Sequence, residues 1–551
     1  MKLIVIGAVA AGTSAAAKAR RNQDDLDIVI YEKDQDISYS GCGLPYFIGE
    51  EVESIDQLTP RNPAFFKKKY NIDIHTGHLV MGINYQEKKV SVKNLATDEV
   101  FTDTFDKLVI ATGAKTSLPP IEGVDLSHVF SLRTPANARR IKAFIDHEQP
   151  KEAVIVGTGF IGFEMLENLM ALDIKVTIVE MMDKITPNLD RDMADYLEAL
   201  LIKKKITIMK ETTVTKVDNH QVALNTGEVL NADMVIMATG VKPNVDLAQT
   251  IGVELGTTGA IKVDNKMETN LSDVYACGDC IETNHLLAQD AVYRPLGSTA
   301  NKTGRIAGDA LTGGSLRFKG IIGTSIYKLF DLTIANTGLN EREARREGYD
   351  VVISHNIKPD KPAYFGGTEM CIKSIADQTS GKLLGVQIVG REGVDKRIDI
   401  FATLITYGAT VDELFHLDLA YAPPFSTTKD PVHYSGMILD NAINKGRPVK
   451  TAQSLLEDQK DERPMQIIDT RAEEQFYKAC VDGAINIPHA LIRDKIKDLD
   501  KHLPTVTYCN SGTTGNAVQN ILLNHGFTNV SNLSGGNKFY QATCKNKQLK
   551  D

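Results

Sequence analysis

Residues 3–12 read LIVIGAVAAG and decide the fold of the first part of the chain. An apolar run ends at Gly7 and Gly12 follows soon after, so the stretch predicts a strand over Lys2–Ile6, a tight turn and a helix. Glu32 lies 20 residues beyond Gly12, where an acid can accept hydrogen bonds from a ribose. The stretch also resembles a signal peptide, but the later acid favours a nucleotide-binding βαβ unit.

The same plan returns at residues 153–162, which read AVIVGTGFIG and carry the complete glycine pattern. The next strand, Lys175–Val179, ends at Glu180. A carboxylate there accepts from a ribose 2′-hydroxyl and repels a 2′-phosphate. The following residues, MMD, supply no arginine for NADP. NADH is therefore the expected donor, without strict specificity.

Each copy is closed by an apolar strand that ends in Ala-Thr-Gly, at Leu108–Gly113 and Met234–Gly240. A late segment with Gly278 and Asp279 returns to the first copy, so one nucleotide-binding domain is predicted to be inserted into the other. Val9 replaces the middle glycine of the first turn, but its other glycines still permit FAD binding. The expected cofactor contacts are Gly7, Gly12, Glu32, Ala111, Thr112, Gly113, Gly278 and Asp279 for FAD, and Gly157, Gly159, Gly162, Glu180 and Gly240 for NADH.

Cys42 stands alone between Gly41 and Gly43, a short way past the first βαβ unit. Enzymes that reduce a disulfide with their own dithiol need two cysteines, but Ile37 and Phe47 occupy the positions five residues away on either side. A helix is expected to begin at Cys42, and helix N-termini lower thiol pKa values. A lone thiol beside a flavin must share its disulfide, persulfide or sulfenic acid with an external thiol or oxidant.

The bulk composition indicates a globular chain of several domains. Its 551 residues carry a net charge of −9 with both signs interspersed, which predicts no nucleic-acid or membrane partner. Seven scattered cysteines do not resemble a secreted disulfide framework, so a reducing cytoplasm is expected. The predicted domains are 1–114 with 245–318 for FAD, 115–244 for NAD(H), 319–445 as a third α+β domain, 446–464 as a charged linker and 465–551 as a small α/β domain.

The last domain carries a second candidate thiol. Cys509 follows the apolar run Val506–Tyr508 and precedes a loop of small residues that leads into a helix over Asn516–His525. Such a loop surrounds sulfur with backbone N–H donors, which stabilise a thiolate or a persulfide. Cys509 is therefore a candidate catalytic residue.

These motifs resemble a known family. The segment Ser38–Tyr46 with both nucleotide turns is similar to the CoA-disulfide reductases, which are single-cysteine flavoprotein disulfide reductases. The segments Gly393–Asp399, Leu419–Ser426 and Ala363–Phe365 strengthen this resemblance. The chain from Gln466 onward resembles rhodanese domains. The whole chain thus looks like a CoA-disulfide reductase–rhodanese fusion, which implies FAD, NADH and coenzyme A as cofactors and a homodimer joined through the third domain.

The resemblance also implies residue roles. Cys42 would cycle with CoA as a mixed disulfide. Tyr364 and Tyr421 would reach it from the partner subunit and act as proton donors to the leaving CoA thiolate or stabilise it. The implied CoA contacts are Lys18, Arg21, Ser38 and Arg61. Thr514 stands where many active rhodaneses carry arginine, so weak binding of anionic donors such as thiosulfate is expected.

The expected function is NADH-dependent reduction of CoA persulfide, polysulfide or CoA disulfide, with Cys509 handling sulfane sulfur. One alternative is an NADH oxidase or peroxidase that cycles Cys42 through sulfenic acid. Another is that the last domain only binds or senses sulfur carriers.

Overall fold

The computed structural model describes residues 1–204 and 206–548. Residue 205, inside the predicted NAD(H) domain, and residues 549–551, at the end of the predicted last domain, lie outside the described residues. The chain divides into two units: unit 1 comprises Met1–Met181 and Ile208–Ile321, and unit 2 comprises Met182–Thr207 and Ile322–Asp551. Residues 182–207 therefore group with unit 2, although the sequence analysis assigned them to the NAD(H) domain.

Unit 1 contains two five-stranded sheets that repeat one plan. In each, a central strand pairs in parallel with the strand that ends at the acid and with the strand that precedes Ala-Thr-Gly. The first sheet has the order Val274–Ala276, Lys107–Ile110, Lys2–Ile6, Asp27–Tyr31 and Asp73–His75. The second has the order Thr207–Met209, Lys175–Val179, Glu152–Val156, Met234–Met237 and Val129–Phe130. Leu3, Ile4 and Val5 are fully buried, as expected for a strand covered on both faces.

Smaller antiparallel sheets and helices complete unit 1. The smaller sheets are His78–Asn84 with Lys89–Asn94 and Val100–Thr104; Val214–Asp218 with Gln221–Leu224 and Val229–Asn231; Ala114–Thr116 with Val241–Pro243; and Thr283–Asn284 with Ala291–Val292. The α-helices are Ala10–Asn22, Leu44–Ile48, Ile55–Leu58, Pro63–Tyr70, Pro135–Glu148, Phe160–Ala171, Asp246–Gln249 and Gly297–Ala310, and Gly41–Gly43 forms a 3₁₀ turn. The Ala10–Asn22 and Gly297–Ala310 helices approach so closely that a Cβ at Gly304 would lie 2.3 Å from the Ala11 carbonyl oxygen.

Unit 2 begins with an antiparallel sheet. Its strands, in spatial order, are Ser325–Leu329, Leu332–Gly338, Leu383–Gly390, Glu369–Asp377 and Val351–Pro359. The helices around it are Arg191–Leu201, Glu341–Arg346, Val394–Tyr407 and Pro431–Asn444, with 3₁₀ turns at Ile202–Lys204, Ala363–Phe365 and Glu413–His416. This arrangement is the α+β domain that the sequence predicted.

A parallel five-stranded sheet forms the rest of unit 2. Its order is Val449–Lys450, Val530–Leu533, Thr505–Tyr508, Gln466–Asp469 and Ile485–Asn486. Its helices are Ala452–Lys460, Glu473–Lys478, Ile492–Lys495, Thr513–Asn524 and Gly536–Gln548, with 3₁₀ turns at His489–Leu491 and Ile496–Asp498. In the described part of the chain, no helix combines the length and the apolar composition that a membrane crossing requires.

The predicted linker over 446–464 is wrong for most of its length. Val449–Lys450 is an edge strand that pairs in parallel with Val530–Leu533. The helix Ala452–Lys460 buries Ala452 and Leu455, and Tyr540 donates a hydrogen bond to Gln459 across 3.2 Å. Of the charged residues that suggested a linker, Asp458 is largely covered in an ion pair with Lys450, and the others lie exposed at the end of this helix and just beyond it. The segment therefore belongs to the last domain.

Candidate active sites

The two glycine turns have the same geometry. Gly7 has φ +106°, and a Cβ there would lie 2.3 Å from the Ala111 carbonyl oxygen. Gly157 has φ +107°, and a Cβ there would lie 2.6 Å from the Ala238 carbonyl oxygen. Only glycine permits both this backbone conformation and this close approach. Each turn is thus packed directly against its own Ala-Thr-Gly segment.

The last glycine of each turn brings helix and strand together. A Cβ at Gly12 would lie 1.9 Å from the Gly7 carbonyl oxygen, and one at Gly162 would lie 2.2 Å from that of Gly157. Nothing lies within 4 Å of a Cβ at Gly159, so the middle of the second turn is open. An open turn at a helix N-terminus can accept a pyrophosphate.

Both strand-end acids reach back to the turns. Glu32 accepts hydrogen bonds from the backbone N–H groups of Ala8, at 2.7 Å, and Asp34, at 3.0 Å. Glu180 accepts from the backbone N–H of Thr158 at 2.9 Å and from its hydroxyl. Burial raises the pKa of Glu32, against the lowering effect of these N–H groups. Both acids therefore lie beside the glycine turns, and their contacts to a ribose stay a prediction.

The remaining predicted cofactor residues lie around the closing strands of unit 1. Thr112 donates to the Asn244 carbonyl oxygen across 2.7 Å, while Gly113 and Gly240 have φ of +67° and +91°. Gly278 has φ +82°, and its N–H donates to Thr303 across 3.1 Å. Asp279 forms an ion pair of 2.5 Å with Arg133, a residue that the sequence analysis did not select.

Cys42 lies in the 3₁₀ turn Gly41–Gly43 that leads into the short helix Leu44–Ile48. Its side chain is exposed. The turn is fixed from behind, because Ser40 donates its N–H to Leu58 across 2.8 Å and a Cβ at Gly43 would lie 2.4 Å from Leu58. This geometry presents a single thiol at a rigid backbone position.

The expected lowering of the Cys42 pKa is wrong for the protein's own groups. Desolvation raises this pKa first, the negative charge of Glu164 raises it further, and Arg133 lowers it only in part. Glu164 lies on the helix Phe160–Ala171 that follows the second glycine turn, where burial raises its pKa to about 7. The sequence signal for Glu164 was a carboxylate within an otherwise apolar turn of that helix. Desolvation of the Cys42 thiol has the larger effect on its pKa, and the five-residue helix Leu44–Ile48 does not offset it.

The two predicted tyrosines belong to exposed aromatic segments of unit 2. Tyr364 is 74% exposed and Tyr421 is 48% exposed. Phe425, near Tyr421, is 71% exposed. Large aromatic side chains left open in this way are typical of surfaces that another molecule covers.

The four residues expected to contact CoA differ in their surroundings. The Lys18 ammonium lies 3.0 Å from the Asp309 carboxylate, so its charge already has a partner. Arg21 is exposed, and Arg61 is exposed with its guanidinium 5.8 Å from the Phe65 ring centroid. Ser38 has a left-handed φ of 49°.

Cys509 follows the central strand Thr505–Tyr508 and is 5% exposed. The helix after it begins at Thr513, three residues earlier than predicted, behind Gly512 with φ +95°. The first turn of the last helix, Gly536–Gln548, closes the loop, because Asn537 and Lys538 donate their N–H groups to the carbonyl oxygens of Cys509 and Asn510 at 2.8 and 3.1 Å. The predicted strand, loop and helix around sulfur are all present.

Two cations lie close to this loop. Arg471 is buried in an ion pair with Asp469 and also donates to Asn510 across 3.2 Å. Lys358, which the sequence analysis did not select, donates from its ammonium to the Thr513 hydroxyl across 2.7 Å. No motif marks Lys358, because it lies near the end of the strand Val351–Pro359, in the other domain of unit 2. Among the described residues, no group of three or more His, Cys, Asp or Glu side chains could hold a metal ion.

Three family models match the chain. Residues 1–294 match the pyridine nucleotide-disulphide oxidoreductase family, and residues 324–431 match its dimerisation domain. Residues 451–543 match the rhodanese-like domain. The predicted fold class is therefore confirmed: two Rossmann-like nucleotide-binding domains, an α+β dimerisation domain and an α/β rhodanese domain.

Similar proteins have related names. The chain is 38% identical to the CoA-dependent NAD(P)H sulfur oxidoreductase of Pyrococcus furiosus over 435 residues, which are 78% of this chain and 97% of that protein. Reduced Bacillus anthracis CoADR-RHD superposes with a TM-score of 0.96 at 34% identity, covering 99% of this chain and 98% of that one. The NAD-dependent persulfide reductase from A. fulgidus superposes with a TM-score of 0.91 at 36% identity, covering 98% of this chain and 100% of that one. The chain belongs to the pyridine nucleotide-disulphide oxidoreductase family, whose members use FAD and NAD(P)H.

Proposed function

We propose that this protein is an NADH-dependent flavoprotein that reduces CoA persulfide, polysulfide or CoA disulfide at Cys42. The observation that carries the proposal is the single exposed thiol in the rigid turn Gly41–Gly43, beside two dinucleotide turns in unit 1. The names of the similar proteins support a CoA-linked sulfur substrate.

The Cys42 thiolate would attack the CoA-bound sulfur of CoA persulfide. The S–S bond of the substrate breaks, hydrosulfide leaves, and a Cys42–S–S–CoA mixed disulfide forms. NADH and FAD, when bound, supply the electron pair that returns this disulfide to two thiolates. Arg133 would favour the Cys42 thiolate and Glu164 would oppose it, in line with their effects on its pKa.

The two glycine turns and their acids would each hold one of the two cofactors. Gly7, Gly12 and Glu32 would hold FAD, while Gly157, Gly162 and Glu180 would hold NADH. The close backbone approaches at these glycines and the positions of both acids support this division. Glu180 would favour NADH by repelling a 2′-phosphate.

The protein would act in the cytoplasm as a homodimer through residues 324–431. The exposed aromatic side chains of Tyr364, Tyr421 and Phe425 support a covered surface there. The two tyrosines would then complete the Cys42 site of the partner subunit and stabilise the leaving CoA thiolate. Lys18, Arg21, Ser38 and Arg61 remain candidates for CoA contacts.

Cys509 would accept and pass on sulfane sulfur. Its position between a strand end and the helix Thr513–Asn524 supports persulfide formation, because backbone N–H groups of such a loop stabilise negative charge.

Anaerobic NADH consumption tests the proposal. The purified protein is given CoA persulfide, CoA disulfide or no acceptor, and Cys42→Ser is compared with Cys480→Ser as a matched cysteine control. Acceptor-dependent turnover that is lost only in Cys42→Ser is expected. If neither CoA species is turned over and oxygen or peroxide starts the reaction, the oxidase alternative replaces this proposal.

A further inference from the structure

The rhodanese loop carries a threonine, Thr514, where many active rhodaneses carry arginine. A persulfide and thiosulfate are both anions, so their sulfur needs a positive partner that the loop itself does not provide. Arg471 lies close by but is already paired with Asp469, with which it makes contacts of 2.9 and 3.1 Å from Nε. The cation must come from elsewhere.

Lys358 of the dimerisation domain supplies a cation beside Thr513, the residue that precedes Thr514. Its strand runs beside the rhodanese domain: Gly535 donates its N–H to the His355 carbonyl oxygen at 3.1 Å, and the Ser534 hydroxyl lies 3.0 Å from His355 Nδ1. Lys358, three residues further along, then reaches the Thr513 hydroxyl at 2.7 Å. This contact uses one of the three donors of its ammonium.

The Lys358 ammonium lies 4.5 Å from the centroid of the Tyr434 ring, which leaves its positive charge without an anionic partner among the described residues. Lys538 is paired with Glu369 at 2.6 Å, but no carboxylate of the described residues lies within ion-pair distance of Lys358. Burial lowers the pKa of Lys358, the Cys509 and Glu369 charges raise it, and the Lys538 and Lys429 charges lower it. Cys509 is thus electrostatically coupled to a lysine from another domain.

We propose that Lys358 is the specificity-determining cation of the Cys509 site, and that through it this site accepts anionic sulfane-sulfur donors. The inference rests on the proposed role of Cys509 and extends it. The dimerisation domain then supplies the positive charge that Thr514 does not.

The chemistry requires no further oxidant or reductant. The Cys509 thiolate attacks the outer sulfur of thiosulfate, the S–S bond of thiosulfate breaks, sulfite leaves with the electron pair, and Cys509–S–S⁻ remains. Total charge is −3 before and after. Lys358 would bind the anionic donor and then the terminal sulfur of the persulfide.

The test compares two donors in single-turnover sulfur transfer to Cys509 of the full-length protein, read by mass spectrometry of the Cys509 peptide. Thiosulfate leaves Cys509–S–S⁻ and releases sulfite. An uncharged dialkyl trisulfide, attacked at its central sulfur, leaves Cys509–S–S–S–R and releases the thiolate RS⁻. Lys358→Gln should lower the second-order rate constant for thiosulfate by about tenfold or more, mainly through weaker donor binding, because a charge-assisted hydrogen bond is lost. The trisulfide reaction should be unchanged.

Two variants serve as controls. Lys358→Arg keeps the charge and should retain most of the thiosulfate reaction. Lys382→Gln removes an exposed lysine at the opposite end of the same sheet, beside Asp377, and should change neither reaction.

Each other outcome overturns a different statement. If Lys358→Gln uses thiosulfate as well as the parent protein, or loses both donors equally, Lys358 is not a specificity cation. If the parent protein accepts no sulfur at Cys509 from either donor, the proposed role of Cys509 itself is wrong, whatever the NADH-dependent reaction at Cys42 does.

Discussion

Replacement of Lys373 by methionine should strongly increase local opening of the antiparallel sheet in unit 2. The Lys373 ammonium is fully buried and lies 2.9 Å from Asp192, 3.0 Å from Glu341 and 3.1 Å from Asp190, while His355 lies 2.8 Å from Asp192. Burial alone would raise the pKa of Asp192, but Lys373 and His355 hold it below its usual range. Lys373→Met removes the cation that all three carboxylates share, although Asp192 keeps His355 and Glu341 keeps Arg345 as partners.

The expected loss is about 3–5 kcal/mol, the usual result of removing one partner from a buried ion pair. At 1.4 kcal/mol for each factor of ten, local opening should become about 10²–10⁴ times more frequent. A chain of several domains has no single free energy of unfolding, so amide hydrogen exchange of the strands Val351–Pro359 and Glu369–Asp377 is the suitable measurement.

The pH dependence separates a charge effect from a packing effect. In the parent protein the pKa of Asp192 is lowered on folding, so its contribution to stability is present above its unfolded pKa and is lost as the pH falls through the folded value. In Lys373→Met, burial without the cation raises the carboxylate pKa values, so protection should increase as the pH falls. Lys382→Met, at an exposed position, should change protection very little. A loss of exchange protection below tenfold, or one that does not depend on pH, would show that the buried charges do not control the stability of this sheet.

Three further outcomes are expected in unit 1. Glu164→Gln removes a negative charge that raises the Cys42 pKa, so the pH profile of Cys42 alkylation in the reduced protein should move to lower pH. Gly162→Ala places a Cβ 2.2 Å from the Gly157 carbonyl oxygen and should weaken NADH binding by about tenfold or more, measured by titration. Glu180→Gln removes the charge that repels a 2′-phosphate and should raise the kcat/KM for NADPH relative to NADH, measured by steady-state kinetics.

Each of these has a contradicting result. An alkylation profile that stays in place or moves to higher pH would show that Glu164 does not act on Cys42. NADH affinity that survives Gly162→Ala, while the equivalent Gly12→Ala abolishes FAD binding, would mean that the second turn does not hold NADH. An unchanged NADPH-to-NADH ratio would assign nucleotide choice to residues other than Glu180.

The features that depend on local backbone chemistry could be predicted from the sequence. Gly7 and Gly157 mark positions of positive φ where a Cβ would meet the Ala-Thr-Gly segment, so the glycine pattern alone predicts the two turns and the duplication. Cys42 and Cys509 were equally recognisable, because each follows a short motif that builds its own loop. The structure bears out the strands and helices around them.

Only tertiary packing shows which charged side chains lie near these two thiols. Glu164 raises and Arg133 lowers the Cys42 pKa from other elements of unit 1, beside the larger effect of desolvation, and Lys358 reaches the Cys509 loop from another domain. Charges act through space over several ångströms, so their partners leave no local pattern in the chain. The charged run before Pro464 misled for the same reason: its charges lie on and beside a helix whose apolar side is buried, and only packing shows which side is covered.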